Sequence, residues 1–453
     1  MSSLTPTLSR GRGGKSSRNM EQLNIAAEEI RHICPNADFK LVLMNNHEDN
    51  IIIRNGQIEK MMHASATSLA MNLLIEGRDG FFYTNNLTPA ALKAFIHNAI
   101  ETTRLLEPDE ARTLADPSRY YKGDGADLQN FDATLSAIDP SKKLRLAKQN
   151  NQEGMQLSPD LISFQTHYTD RQHQAYYLIS NGFQGFEQSS RCTLTSIATA
   201  ESEDGQHPAD GWGETRIFLK DMPSEGIARV AIDRTLRKIG SRPASSGQYR
   251  MILESPIVGS FLQPILNAMN GQYLHGKMSF LAGKLHQQIL SPLVSIVDDP
   301  LIPGTRGACY FDYDGVATQR RSLFSKGVLE TFFIDTVYAN KLGIPPTTQG
   351  IHHLVMQCGS KTLQQLIAQA DNTIMVTDFN GGNCDPSTGN FSYGIEGFLI
   401  QNGVIVQPVS GMNITGNILD VWQRVSDLGN DIDPWETELL PSIVFEDVSF
   451  GGL

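Results

Sequence analysis

The sequence has little cysteine, and the little it has is scattered. Cys34, Cys192, Cys309, Cys358 and Cys384 form no Cys-x-x-Cys pair and are odd in number. That excludes a disulfide framework and suits reduced thiols in a cytoplasm. No apolar run approaches the roughly 20 residues that span a bilayer, and the N-terminal stretch has no apolar signal-peptide core, so no membrane partner is expected. Phosphate-binding glycine loops are missing, as are Gly-x-Gly-x-x-Gly and Gly-x-Ser-x-Gly. The balance of 37 basic against 49 acidic side chains gives a net charge of −12. A surface of that sign repels phosphate backbones, which argues against nucleic acid as a partner.

A chain of 453 residues exceeds one ordinary core, and two domains are expected. Residues 1–19 carry Arg10, Arg12, Lys15 and Arg18, much Ser and Gly and no acid, and read as a disordered basic tail. Residues 20–240 read as a mixed helix and antiparallel-sheet domain. Leu23 to Ile33 has helical spacing and stops before Pro35. Phe39–Met44, Ile51–Arg54, Gln57–Met62, Ser68–Ile75 and Phe81–Thr84 read as strands, with Asn55-Gly56 as a hairpin turn. Thr88-Pro89 opens a helix, 106–140 is a polar excursion, and Lys142–Met155 is helical. Strands are expected at Ile162–Tyr168, Gln174–Ile179 and Cys192–Ala200, and a helix over Ser224–Ile239. The stretch 241–247, rich in Ser, Pro and Gly, marks the boundary.

Residues 241–453 read as a β-rich domain, making the class α+β. Tyr249–Leu253 is a strand, and Ser255-Pro256 caps a helix whose Ile257, Val258, Phe261, Leu262, Ile265, Leu266 and Met269 make one apolar face, interrupted by Pro264. Strands are expected at Cys309–Asp314, Ser322–Ser325 and Val328–Ile334, with a short helix over Thr362–Gln369. Ile374–Phe379 then leads into Asn380–Asn390, a stretch whose three Gly, three Asn and one Pro predict a tight polar loop. Phe398–Val406 resumes as strands turned by Asn402-Gly403.

Chemistry-bearing residues are sparse. His47-Glu48 has no further His at the spacing of a helical zinc motif, since 51–53 are all Ile, and reads as a loop pair. Cys384 would be a nucleophile only with a base beside it. His352-His353 are candidates for holding a ligand or, with His275 and His286, a metal. Asp378, Asp385 and Glu396 are candidate carboxylates, with backbone capping as the alternative role.

Phe311-Asp312-Tyr313-Asp314-Gly315-Val316 with Arg320-Arg321, Lys326-Gly327-Val328-Leu329, Gly350-Ile351-His352, Gly381 through Gly397, Asn402-Gly403, Pro408-Val409, Gly416-Asn417 and Gly429-Asn430-Asp431 together resemble the TldD/PmbA family. The resemblance runs from Met20 onward. It implies a two-domain α+β fold, a cytoplasmic dimer and a role in proteolysis of peptides. Members have also been called modulators of DNA gyrase. TldD-type chains carry a His-Glu-x-x-x-His helix and a later Cys that bind zinc, whereas PmbA-type (TldE) chains lack these ligands and pair with the TldD type. Here the corresponding stretch, Ser255–Leu274, has no His, Asp or Glu, and no Cys follows Asp431. The resemblance therefore implies a PmbA/TldE-like subunit without its own zinc, partnered by a zinc-bearing TldD-type chain. His352, Asn383, Cys384 and Glu396 are the expected peptide-binding residues, with strand addition near Asn383 as the mode. The alternatives are a peptidase using Cys384 or another metal site, and a homodimeric peptide-binding module.

Overall fold

The computed structural model describes residues 13–123, 125–158, 161–203 and 205–452. The N-terminal half runs α1 (Gly13–Ile33), β1 (Asp38–Arg54), β2 (Gln57–Ile75), β3 (Arg78–Thr84), α2 (Pro89–Thr103), α3 (Pro140–Leu157), β4 (Leu161–Ile179), β5 (Gln184–Ala200), β6 (Ala209–Arg216) and α4 (Ile227–Leu236). Helix α1 reaches back into the stretch read as a tail, whose residues 1–12 lie outside those described.

The six strands form one antiparallel sheet in the order β3-β2-β1-β4-β5-β6. Five of them are longer than the sequence pattern suggests, and β6 has no counterpart in it. The polar run Asn45–Asn50 was expected to separate two strands, but it stays extended because β2 and β4 pair with it on both sides. Cross-strand pairing here overrides weak local preference. His47 and Glu48 therefore lie on a strand, not in a loop.

Side chains alternate across the sheet. Phe39, Leu41 and Leu43 pack with Leu23, Ala27 and Ile30 of α1 and with Leu92, Ile96 and Ile100 of α2. Ile51 and Ile53, of the same parity, pack with Ala147 of α3 and with Ile227 at the start of α4. Two helix pairs thus cover the two ends of one face, and His47 and Asp49 point into the gap between them. The opposite face, with Val42, Ala70 and Tyr177, is covered by Tyr120, Phe311 and Val316.

The C-terminal half comprises β7 (Gly247–Leu253), α5 (Ser255–Ala268), α6 (Gly271–His275), β8 (Ile296–Asp298), β9 (Arg321–Ser325), β10 (Val328–Leu329), α7 (Thr336–Leu342), β11 (Leu354–Met356), α8 (Leu363–Ala368), β12 (Thr373–Cys384), β13 (Asn390–Gln401), β14 (Val404–Asn417), α9 (Ile418–Gln423), β15 (Val425–Leu428), β16 (Glu438–Leu439) and β17 (Ile443–Gly452). Strands β14-β13-β12-β7-β17 follow one another, and β14 also pairs with β17, which closes a barrel. A smaller sheet runs β10-β9-β8-β11-β16. The α+β class, with its β-rich C-terminal part, is as read from the sequence.

Phe261 of α5 organises the barrel core. Its ring lies 5.9 Å from Phe379, 5.4 Å from Phe391, 6.1 Å from Trp422 and 5.7 Å from Phe445, in stacked and edge-on pairs. Pro264 is accommodated within the helix. Ser255 does not cap α5; its hydroxyl donates to the Leu440 carbonyl at 2.6 Å instead. The segment 309–314, expected as a strand, is irregular and carries only isolated bridges.

Buried ion pairs join the halves. Arg234 of α4 lies 3.0 Å from Glu254 and 3.4 Å from Asp210, and Lys238 bridges Asp210 and Glu396, each at 2.9 Å. Lys40 of β1 pairs with Asp314.

Candidate functional site

Helix α5 borders two features suited to a ligand. The first is a cleft of about 460 Å³ lined from α5 and the turn after it by Gln263, Asn267 and Asn270, and from the facing segments by Phe333, His352 and Glu438. Gln263 donates to the Asn267 side chain at 2.8 Å, so the amides one helical turn apart hold each other. Glu438 rests against α5 at Gly259, where a Cβ would overlap its carboxylate. Burial, and then the neighbouring Glu436, raises the Glu438 pKa.

His352 is fixed from behind. Asp298, buried at the end of β8, accepts the backbone N–H groups of His352 and His353 at 3.0 and 2.8 Å through one oxygen. Its other oxygen lies 3.3 Å from His352 Nδ1. Burial opposes a charged ring here, but the contacts with Asp298 and Cys309 win and lift the His352 pKa to about 10. The residue is an imidazolium at neutral pH. His353, by contrast, is fully buried, and burial lowers its pKa.

The second feature is the far half of β12. Strand β7 pairs only with Thr373–Val376, so from Asp378 to Cys384 β12 is bonded to β13 alone among the described strands. The expected loop at Asn380–Asn390 is thus mostly strand, and the chain turns only over Asp385–Gly389. The glycines serve a bulge rather than a loop. Gly381 and Gly382 have φ of 120° and 113°, and a Cβ on Gly382 would lie 2.0 Å from the Ser392 carbonyl oxygen. Asn383 pairs with Ser392 and Cys384 with Phe391, leaving an exposed row of backbone groups on the outer edge.

Of the four residues expected to bind peptide, His352 lines the cleft, Asn383 and Cys384 sit on the free half of β12, and Glu396 is tied to Lys238 of the N-terminal half. Burial, and then Asp385, pushes the Cys384 thiol up to about 11, and its nearest polar contact is the Asp385 carbonyl at 3.9 Å. A thiol so protonated is a weak nucleophile. Sequence reading missed Asp298, Gln263, Asn267 and Glu438. The only signal was negative: Gln263 and Asn267 are polar positions one turn apart on an otherwise apolar helix.

A catalytic zinc takes three protein donors, usually neutral imidazole, thiolate or carboxylate. The cleft offers from α5 amides alone, and across it one carboxylate, Glu438, and one imidazole, His352, two donors where three are needed. That donor set does not fit zinc. His275 lies against Tyr338 and His286 beside Glu330, so neither joins His352 and His353. Among the described residues, the one group of three His, Cys, Asp or Glu donors within reach of a common ion is His47, Asp49 and His63, in the N-terminal half.

Two domain descriptions of one family match the chain: the PmbA/TldA metallopeptidase central domain over residues 133–239 and C-terminal domain over residues 246–452. The Metalloprotease PmbA of Escherichia coli is 25% identical over 411 residues, 89% of this chain and 90% of that protein. A Bacteroides thetaiotaomicron protein named as a modulator of DNA gyrase has a solved structure that is 41% identical, covers 96% of this chain and 99% of its own, and superposes with a TM-score of 0.93. TldE from Thermococcus kodakarensis shares the fold at 19% identity, with a TM-score of 0.83 over 96% of this chain and all of that one. A Metalloprotease TldD homolog of Haemophilus influenzae is 26% identical over 254 residues, about half of each chain. With full-length agreement at 41% identity and both domain descriptions in register along the chain, this protein belongs to the PmbA/TldD family.

Proposed function

We propose that this chain is the PmbA/TldE-like member of a two-chain peptidase, binding an extended peptide while a TldD-type partner supplies the zinc and the chemistry. The observation that carries this reading is the donor set on α5. Where a metallopeptidase helix would present imidazoles and a general base, α5 presents Gln263 and Asn267 bonded to each other. The named relatives support the proteolytic context, since both PmbA and TldD homologues are called metalloproteases.

Peptide capture is assigned to the free edge of β12. Residues 378–384 can accept a peptide strand through main-chain hydrogen bonds that are indifferent to side-chain sequence, as suits unfolded or modified substrates. Phe261 stacks beneath Phe379 and stiffens this edge from the core. The protonated His352 and the amides of the neighbouring cleft offer donors to carbonyls or to a C-terminal carboxylate of the peptide. The exposed glycine-rich bulge is open to the backbone of an incoming strand.

The test is co-expression with a TldD-type chain from the same genome. The expected result is co-purification of the two chains and cleavage of an unfolded peptide by the pair. Failure of the chains to associate, with this chain eluting as a self-paired dimer that binds peptide, would favour the homodimeric binding module instead.

A further inference from the structure

The gap between the two helix pairs of the N-terminal sheet holds a cluster for which the peptidase reading has no use. His47 and Asp49 are two apart on β1 and share a face, and His63 on β2 is the register partner of Asp49. One donor atom from each lies within 4.8 Å of the others. His63 Nδ1 is 2.7 Å from Asp49 Oδ1, and His47 Nε2 is 3.6 Å from Asp49 Oδ2. The two rings meet edge-on with centroids 4.8 Å apart.

We propose that His47, Asp49 and His63 form a binding site for a divalent transition-metal cation of the zinc class. Metal–ligand bonds of 2.0–2.1 Å in tetrahedral geometry separate donors by about 3.3–3.4 Å, so small rotations of two rings bring the three donors into place. Two imidazoles and a carboxylate are a donor set for zinc, cobalt or iron(II) rather than for calcium or magnesium. His47 Nε2 is buried and has no hydrogen-bond partner, which is costly for a polar atom unless something else meets it. Its other nitrogen, Nδ1, is held by Ser65 Oγ at 3.0 Å, so the ring is oriented with Nε2 toward Asp49 and His63. Asp49 Oδ2, the oxygen nearer His47, also accepts from the buried ammonium of Lys143, which it shares with Asp170. Such outer contacts orient ligands in metal sites, and they leave Asp49 Oδ1 facing His63.

His63 is the exposed member, with 59% of its side chain open, against 13% for His47 and 7% for Asp49. Its exposure leaves the site open to solvent on that side. The ion would also clamp β2 to β1 where β2 has no second neighbour: β3 pairs only with Leu69–Ile75, leaving Gln57–Ser68 as a bare edge.

The experiment is a Co²⁺ titration of the full chain at neutral pH after chelator treatment, followed in the visible d–d bands. One equivalent, displaced by Zn²⁺, is expected. His63→Ala, at an exposed position, should keep the fold by circular dichroism and weaken uptake at least about tenfold. His47→Gln should do the same, and His286→Ala, elsewhere in the chain, should not. No stoichiometric uptake by the wild type, or undiminished uptake by His63→Ala and His47→Gln, overturns the site. Either result leaves the subunit reading standing, because that reading rests on α5 and is tested by peptide cleavage.

Discussion

His352 is charged because Asp298 pairs with it in a half-closed setting. Its folded pKa, about 10, lies above the ordinary imidazole value near 6.5. A group raised in this way contributes stability in full below its unfolded pKa, and the contribution is lost as pH rises through the folded one. The chain should therefore lose more stability between neutral pH and about pH 10.5 than a His352→Gln variant does. Paired urea titrations at the two pH values check this; parallel losses in both proteins would contradict it. At neutral pH the variant itself should be weaker by roughly 1–3 kcal/mol, since Asp298 loses its partner ring. At the same scale, His47-Glu48 reads as a loop pair in the sequence but lies on β1. Ile51–Ile53 rule out a zinc motif at helical spacing, and on the strand the residues of the proposed site fall at i and i+2 and across the hairpin. A plain two-residue hairpin at Asn55-Gly56 would place Met62 opposite Asp49; the irregularity between Ile52 and Ile53 shifts the register by one and brings His63 there.

Among the elements, α5 and β12 carry the proposed function. Helix α5 was legible throughout, because its apolar face repeats at the helical period and Pro256 marks its first turn. Truncating Phe261→Ala should cost about 3–5 kcal/mol, read as a lowered midpoint in chemical denaturation, because five aromatic rings converge on it. Strand β12 was only half legible. Ile374–Phe379 reads as strand, but Asn380-Gly381-Gly382-Asn383 has the composition of a turn, and only pairing with β13 shows it to be a bulged strand. Gly382→Ala should destabilise the fold by roughly 1–3 kcal/mol, since the side chain meets the Ser392 carbonyl in a backbone region L residues avoid. An unchanged melting temperature would mean that the bulge tolerates a Cβ. The polar middle of β1 was illegible for the converse reason: its extended state comes from two neighbouring strands that no local window contains.

At the level of the whole molecule, the halves are joined through a small network of buried charges. Arg234 is held between Asp210 and Glu254, and Lys238 between Asp210 and Glu396. Arg234→Ala leaves Glu254 and Asp210 short of a cation in a buried setting and should cost roughly 3–5 kcal/mol, seen as a lower thermal midpoint. Glu396, expected at the peptide site, is also the Lys238 partner at this junction. Partner and substrate lie beyond what residue patterns can give, because both are molecules outside this chain. The stretch Ser255–Leu274 carries no His, Asp or Glu, and the proposed subunit role rests on that. The most direct measurement is hydrolysis of an unfolded peptide by the purified chain alone, supplied with zinc. The account predicts no turnover, even with the His47–Asp49–His63 group loaded, and turnover once a TldD-type chain is added. Zinc-dependent cleavage by this chain in isolation would contradict it.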